Sequence, residues 1–208
     1  MRARLVASLL VALVLSAVPA VAQPVEFSGS IRLRAESWSW FEAPGHEDDY
    51  AFLGSIIRAS ASQKRARSAW QIELAQPTLL GLPERAAAPA PLGQLGMGAS
   101  YFAANGEENP AGLFVKQAWF RLDRGNAALR VGRFEFNDGS EVAPKEPALA
   151  AIKQQRIAQR LVGAFGFSHV GRSFDGAHAT WAGGNLQATL VAARPTAGAF
   201  RVDGGSTL

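Results

Sequence analysis

The chain has no cysteine. That absence excludes both a disulfide framework and any thiolate metal site. Charge of one sign is scarce as well: 21 Lys+Arg stand against 17 Asp+Glu over 208 residues, a formal net charge of +4. Two of the basic residues, Arg2 and Arg4, lie in an N-terminal segment that reads as removable. Without them 19 Lys+Arg oppose 17 Asp+Glu, a formal +2, which is no nucleic-acid footprint. Histidine is limited to His46, His169 and His178, none at metal-ligand spacing, and no Gly-x-Ser-x-Gly elbow or phosphate-cradling loop occurs. No catalytic residue, metal or cofactor is assigned from such a set. The neighbours Ser168 and His169 are the one hydrolytic candidate, and adjacency in sequence is not triad geometry. The expectation is a protein that is not an enzyme.

Long apolar runs are also missing after residue 22, so a membrane role has to be carried by strands. Before that point, Arg2 and Arg4 precede an apolar run from Leu5 to Val18, then Pro19 and Ala20-Val21-Ala22. The run falls short of the roughly 20 residues that span a bilayer as a helix. It has the layout of a secretory signal over 1-22, cleaved after Ala22, so Sec-type export and a mature chain from Gln23 are expected.

What is present is alternation. Runs of period-2 character lie at 26-40, 50-62, 67-76, 112-122, 127-135, 173-182 and 185-194. Short turn-like connections (Gln63-Lys64-Arg65-Ala66, Asp123-Arg124-Gly125-Asn126, Gly183-Gly184) alternate with long ones, as in bacterial outer-membrane barrels. In the first run Phe27, Ile31, Leu33 and Ala35 alternate with Ser28, Ser30, Arg32, Arg34 and Glu36. A lipid-facing side and a watery lumen produce that pattern, and so does a half-buried soluble sheet. Two positions misfit. Lys116 falls on the apolar parity of Phe114, Ala118 and Phe120, where snorkelling to an interface would accommodate it, and Ile56 falls on the charged parity of Arg58 without an account. Aromatics cluster near strand ends, with Trp38, Trp40, Tyr50 and Phe52 around the first long loop and Trp70, Phe120 and Trp181 near the short turns. They read either as interfacial girdles or as core packing.

These features imply an all-β fold, an antiparallel up-and-down transmembrane β-barrel over 23-208, in the outer membrane of a Gram-negative-type bacterium. Bacterial barrels use even strand numbers and close their edges, so seven runs ending in the loop-like Asp203 to Leu208 read as an incomplete fragment of a larger barrel. The other class kept open is a secreted soluble β-sandwich that binds carbohydrate.

By parity Arg32, Arg34, Arg58, Arg121 and Arg130 face the lumen, where guanidinium groups attract carboxylates through charge-assisted bonds. Arg133 has the wrong parity, and a bulge at Gly132 would re-aim it inward. The competing reading pairs these arginines with Glu36, Glu73 and Glu135 in a structural network. The third long loop holds Lys145, Lys153, Arg156 and Arg160 around Leu149, Ile152, Ile157 and Leu161 at helical spacing, either a basic constriction or a solvated amphipathic helix. Glu47, Asp48 and Asp49 beside His46 read as a solvated acidic run, since no calcium-loop spacing is present.

Leu129-Arg130-Val131-Gly132-Arg133-Phe134-Glu135-Phe136 with Asp138-Gly139, then Arg160-Leu161-Val162-Gly163, then Gly171-Arg172-Ser173-Phe174-Asp175-Gly176-Ala177, preceded by Gln117-Ala118-Trp119-Phe120-Arg121-Leu122, carry a resemblance. From about Gly112 to Pro195 the chain resembles the alginate-export family of outer-membrane porin-like barrels. The resemblance implies an arginine-rich lumen, adds Arg172 to the candidates, and implies export or uptake of an anionic polysaccharide or small anionic solute. Outer-membrane lipid and anionic saccharide are then the expected partners, with periplasmic export partners unspecified.

Overall fold

A computed structural model describes residues 24-88, 93-138, 144-153 and 162-206. The expected signal peptide, together with Arg156, Ile157, Arg160 and Leu161, lies outside the described residues.

Seven antiparallel strands form one sheet in strict chain order. They are β1 Glu26–Ser39, β2 Asp49–Lys64, β3 Ser68–Leu80, β4 Phe114–Arg124, β5 Ala127–Phe134, β6 Phe174–Gly183 and β7 Leu186–Pro195. Every expected run is a strand, and no second sheet packs on this one among the described residues. The sheet is open, with β1 and β7 as its edges. The short connections are tight because glycine can take the left-handed conformation: Gly125 has φ +56 and Gly184 φ +57, each with open space around it. Strand β3 runs past its expected end, through Pro77. The Pro77 carbonyl accepts the Gly112 N–H, so its nitrogen faces the side where regular pairing with β4 has already stopped at Ala75 and Phe114. No ladder hydrogen bond is lost there.

Register sorts the side chains onto two unlike faces. One is bare: Phe27, Ile31 and Leu33 on β1 stand over Ala61, Ile57 and Ser55 on β2, and the rows continue through Ile72, Leu74, Phe120, Leu122, Leu129, Val131 and Leu190. These large apolar side chains are exposed on all seven strands, from 81% at Phe27 to 38% at Val115. Within the strands, the charges on this parity are Asp49, Arg124, Arg133, Asp175 and Arg194, all at or next to a strand end.

The other face is covered by the long connections. A helix, α1 (Met97–Asn105), lies against it with Gly98, Ala99 and Tyr101 buried. No residue of the helix caps its own N-terminus; instead the Tyr50 hydroxyl, rising from β2, accepts from the N–H groups of Gly98 and Ala99 and donates to Leu95 O. That satisfies donors a helix start leaves open. Tyr50, Phe52, Leu79, Leu95, Tyr101, Val170 and Val202 form the main core, so sheet, α1, residues 162-173 and the C-terminal segment meet in one cluster. Phe134, Phe136 and Phe174 form a second. The aromatics expected near strand ends therefore divide. Tyr50 and Phe52 are core, Trp40 is 43% exposed, and Trp70, Phe120 and Trp181 stand on the bare face toward the short turns.

Both parity misfits have causes. A register shift between Glu73 and Leu74 puts Leu74 opposite Val115 and Glu73 opposite Gln117, leaving Lys116 as the extra residue of a bulge. Lys116 does not snorkel. It turns to the covered face and is 1% exposed. Ile56 belongs to that face too, opposite Arg32, and is buried where residues 166-171 pass over the sheet.

Candidate functional site

The arginines of β1 hold a loop. Arg32 donates from both terminal nitrogens, to Gly166 O at 2.9 Å and to Ser168 O, while Arg34 donates to Phe167 O at 2.8 Å. Two residues further along β1, Glu36 accepts from His169 Nε2 at 2.8 Å and lies 3.3 Å from Arg34. The imidazole is fully buried, edge-on to Phe52 and to Tyr101, and its backbone N–H donates to the Tyr101 hydroxyl at 2.7 Å. It rests on the backbone of Gly54, where a methyl group would overlap the ring. Burial, reinforced by the Arg34 charge, holds the imidazole below the usual histidine range, and burial pushes the Tyr101 phenol up to about 12. Ser168 and His169 have separate partners. The Ser168 Oγ accepts from Gly171 N–H at 2.8 Å while the His169 ring bonds to Glu36.

Beside this contact lies an ionic network. The Arg58 guanidinium bonds to Glu73 and, at 3.0 Å, to Glu135, and Lys116 Nζ reaches Val170 O at 3.1 Å and Glu135 at 3.5 Å. Gln71 and Gln117 donate to the second oxygen of Glu73 at 3.1 and 3.2 Å. A cavity of about 150 Å³ under residues 166-171 joins Arg32, Arg58 and Lys116, and it shares Ser30, Arg58 and Glu135 with a polar hollow of about 320 Å³ lined by Ser28, Ser60, Glu73 and Gln117. On this part of the face four cations (Arg32, Arg34, Arg58, Lys116) meet three carboxylates (Glu36, Glu73, Glu135). The surplus is positive.

The remaining candidates separate. Arg130 is on the covered face, 3.0 Å from His178 Nδ1 and 4.4 Å over the Phe134 ring, with its Nε buried and unpartnered. Arg121 forms an exposed fork with Asp123 toward the short turn, 2.6 Å at its closer contact. Arg133 corrects the expectation. No register shift occurs at Gly132 despite its φ of +116, and Arg133 stays opposite Ala118 and Asp175 on the apolar parity. It makes two 2.7 Å bonds to Asp175 and one of 3.0 Å to Val115 O, tying β4, β5 and β6 where the β4–β5 ladder has ended. Arg172 lies outside the strands, 4.0 Å over the Phe165 ring. In the third long loop a short helix, α2 (Pro147–Ile152), buries none of its residues; Leu149 and Ile152 are 55% and 51% exposed. Residues 162-173 and α1 pack on the sheet. In the acidic run, Glu47 N–H and His46 Nδ1 both lie 3.2 Å from Arg85 O, which ties the first long loop to the chain after β3.

Tyr101 and Gly54 entered no sequence-based reading, His169 entered only as a hydrolytic candidate with Ser168, and Lys116 only as a parity misfit. Two had signals: Lys116 by its parity, and Gly54 as an isolated glycine inside a strand, the mark of a close approach.

No family model, curated protein or solved structure matches this chain. The resemblance of Gly112 to Pro195 to the alginate-export family rests on the quoted motifs alone.

Proposed function

We propose that this sheet is a sector of an outer-membrane β-barrel whose lumen side is the covered face, and that the protein is a porin-like channel for export or uptake of an anionic saccharide or small anionic solute. The observation that carries the reading is the bare face. A contiguous apolar surface across seven strands, with charge only at its margins, exceeds what a soluble monomer leaves in water and matches a lipid-facing wall. The strands run from 8 to 16 residues, which brackets the 9–11 or so that cross a bilayer at a tilt. In lipid the β1 and β7 edges require partner strands, because unpaired backbone groups are not tolerated there. The opposite face supplies the selectivity: its surplus of guanidinium and ammonium groups attracts carboxylates without covalent chemistry.

The test is to express the full gene, locate the protein by fractionation and heat-modifiable mobility, and measure reversal potentials across a salt gradient. Outer-membrane localisation and anion preference are expected, weakened by added salt. Arg130→Glu shifts the reversal potential toward cations. Arg133→Glu, set against Asp175, lowers the yield of folded protein and leaves selectivity unchanged. Recovery of the protein in the soluble periplasm would sink the reading.

A further inference from the structure

We infer that residues 163-171 are an autoinhibitory strap whose backbone carbonyls occupy the cations that would otherwise receive a carboxylate-bearing solute, with His169 seated on Gly54 as its fastening. The identity of the solute rests on the channel reading above; the strap rests on geometry. Three cations from two strands spend their donors on carbonyls of this one segment: Arg32 on Gly166 and Ser168, Arg34 on Phe167, Lys116 on Val170. On Arg32 two carbonyl oxygens sit on the two arms of one guanidinium, the places that a bidentate carboxylate takes. A carboxylate, charged where a carbonyl is neutral, makes the stronger bond to the guanidinium, so solute and strap compete for the same fork.

The fastening is marginal by construction. The imidazole fits only because position 54 has no side chain, and its single ring hydrogen bond runs to Glu36. Its Nδ1 is buried without a partner, and so is Arg34 Nε on the neighbouring strand position. Phe165, within the strap, has a positive φ of 49, a conformation that a side chain of its size rarely holds. Gly171, at the end of the strap, has φ +70. The His169 seat is thus the one contact of the strap whose fit depends on the absence of a side chain at position 54.

The test uses amide hydrogen exchange on the full-length protein. In the wild type at low salt, sodium glucuronate should accelerate exchange across 163-171 several-fold, while glucose, and sodium chloride at equal ionic strength, leave it unchanged. Gly54→Ala displaces the His169 ring without touching any arginine, so it should accelerate the same amides with no glucuronate present, and raise glucuronate flux in reconstituted bilayers. Because the chain has no cysteine, a Ser30→Cys/Gly166→Cys pair on the lining of the small cavity can be joined by a reducible bifunctional thiol crosslinker to pin the strap, which should return that flux to the wild-type level until reductant is added. Equal effects of glucuronate and chloride, or acceleration in Gly54→Ala with flux unchanged in a conducting pore, would overturn the inference. If no variant conducts but glucuronate still loosens 163-171, the strap and its ligand class stand and the channel reading falls.

Discussion

The two faces of this sheet are made by the same strands with the same alternation, yet they differ in what completes them. On the bare face none of the described residues covers Ile31, Ile57, Ile72 or Leu129, and each is about half exposed or more. On the covered face Leu79 and Phe134 have no exposure at all: Leu79 shares a cluster with α1, Val170 and the C-terminal Val202, and Phe134 packs against Phe136 and Phe174. The long connections that are described cover one face and leave the other bare. The difference teaches that burial in this chain is not a property of strand pattern. It depends on which way the long connections fold.

The strongest break of that comparison is a charge on the bare face. Ile57→Arg places a guanidinium in the middle of β2 among apolar neighbours, and on a lipid-facing wall it should cost about 2–4 kcal/mol near the bilayer midplane. Urea unfolding in detergent or bilayers reads the loss. In a soluble protein with a hydrated face the same change would cost close to nothing, so a null result decides against lipid.

On the covered face the larger effect should come from the network. Glu73→Gln removes the carboxylate that holds Arg58, Gln71 and Gln117 together. Arg58 keeps Glu135, so the loss is that of a partly compensated buried charge, about 1–3 kcal/mol. The same unfolding assay should show it, with little change in the strap amides.

Acid should give the smallest effect, confined to the strap. The groups facing the His169 ring are Glu36, Arg34 and Arg32 on β1 and the Tyr101 phenol on α1, with Phe52 and Gly54 contributing no charge. Tyr101 remains neutral throughout. The seated imidazole titrates below its released value of about 6.5, so the released state binds the proton more readily. The seat therefore contributes fully above about pH 6.5 and is lost progressively as pH falls below it. Amide exchange over 163-171, corrected for its intrinsic pH dependence, should rise between pH 7.5 and 5, while β2 and β3 amides should not. Flat protection across that range would remove His169 from the fastening.

Parity along single strands made five of the seven arginine candidates legible in part. Arg32, Arg34, Arg58, Arg121 and Arg130 are on the face it assigned, because the side-chain period of a strand is 2, no bulge interrupts β1, β2 or β5, and Arg121 lies beyond the bulge of β4 in regular register. Their partners were not legible: Arg58 pairs with Glu73 and Glu135, as the structural alternative had it, but Arg32 and Arg34 chiefly hold carbonyls of a loop more than 130 residues away. Arg133 departs from its expected aim because Gly132, which permits a bulge, adopts a positive φ without one, and the register there is unbroken. The real bulge, at Lys116, had announced itself only as a charge on the wrong parity.

The sequence by itself determined the seven strands, their antiparallel chain order, the tight turns at Gly125 and Gly184 and the sorting of apolar from polar faces. All of these follow from local backbone sterics and a period of 2. Only the tertiary structure decided that the second and third long connections turn back over the polar face, that Tyr50 caps α1 from below, and that His169 sits on Gly54. Those outcomes depend on contacts between segments 48 to 133 residues apart, whose geometry no local pattern encodes.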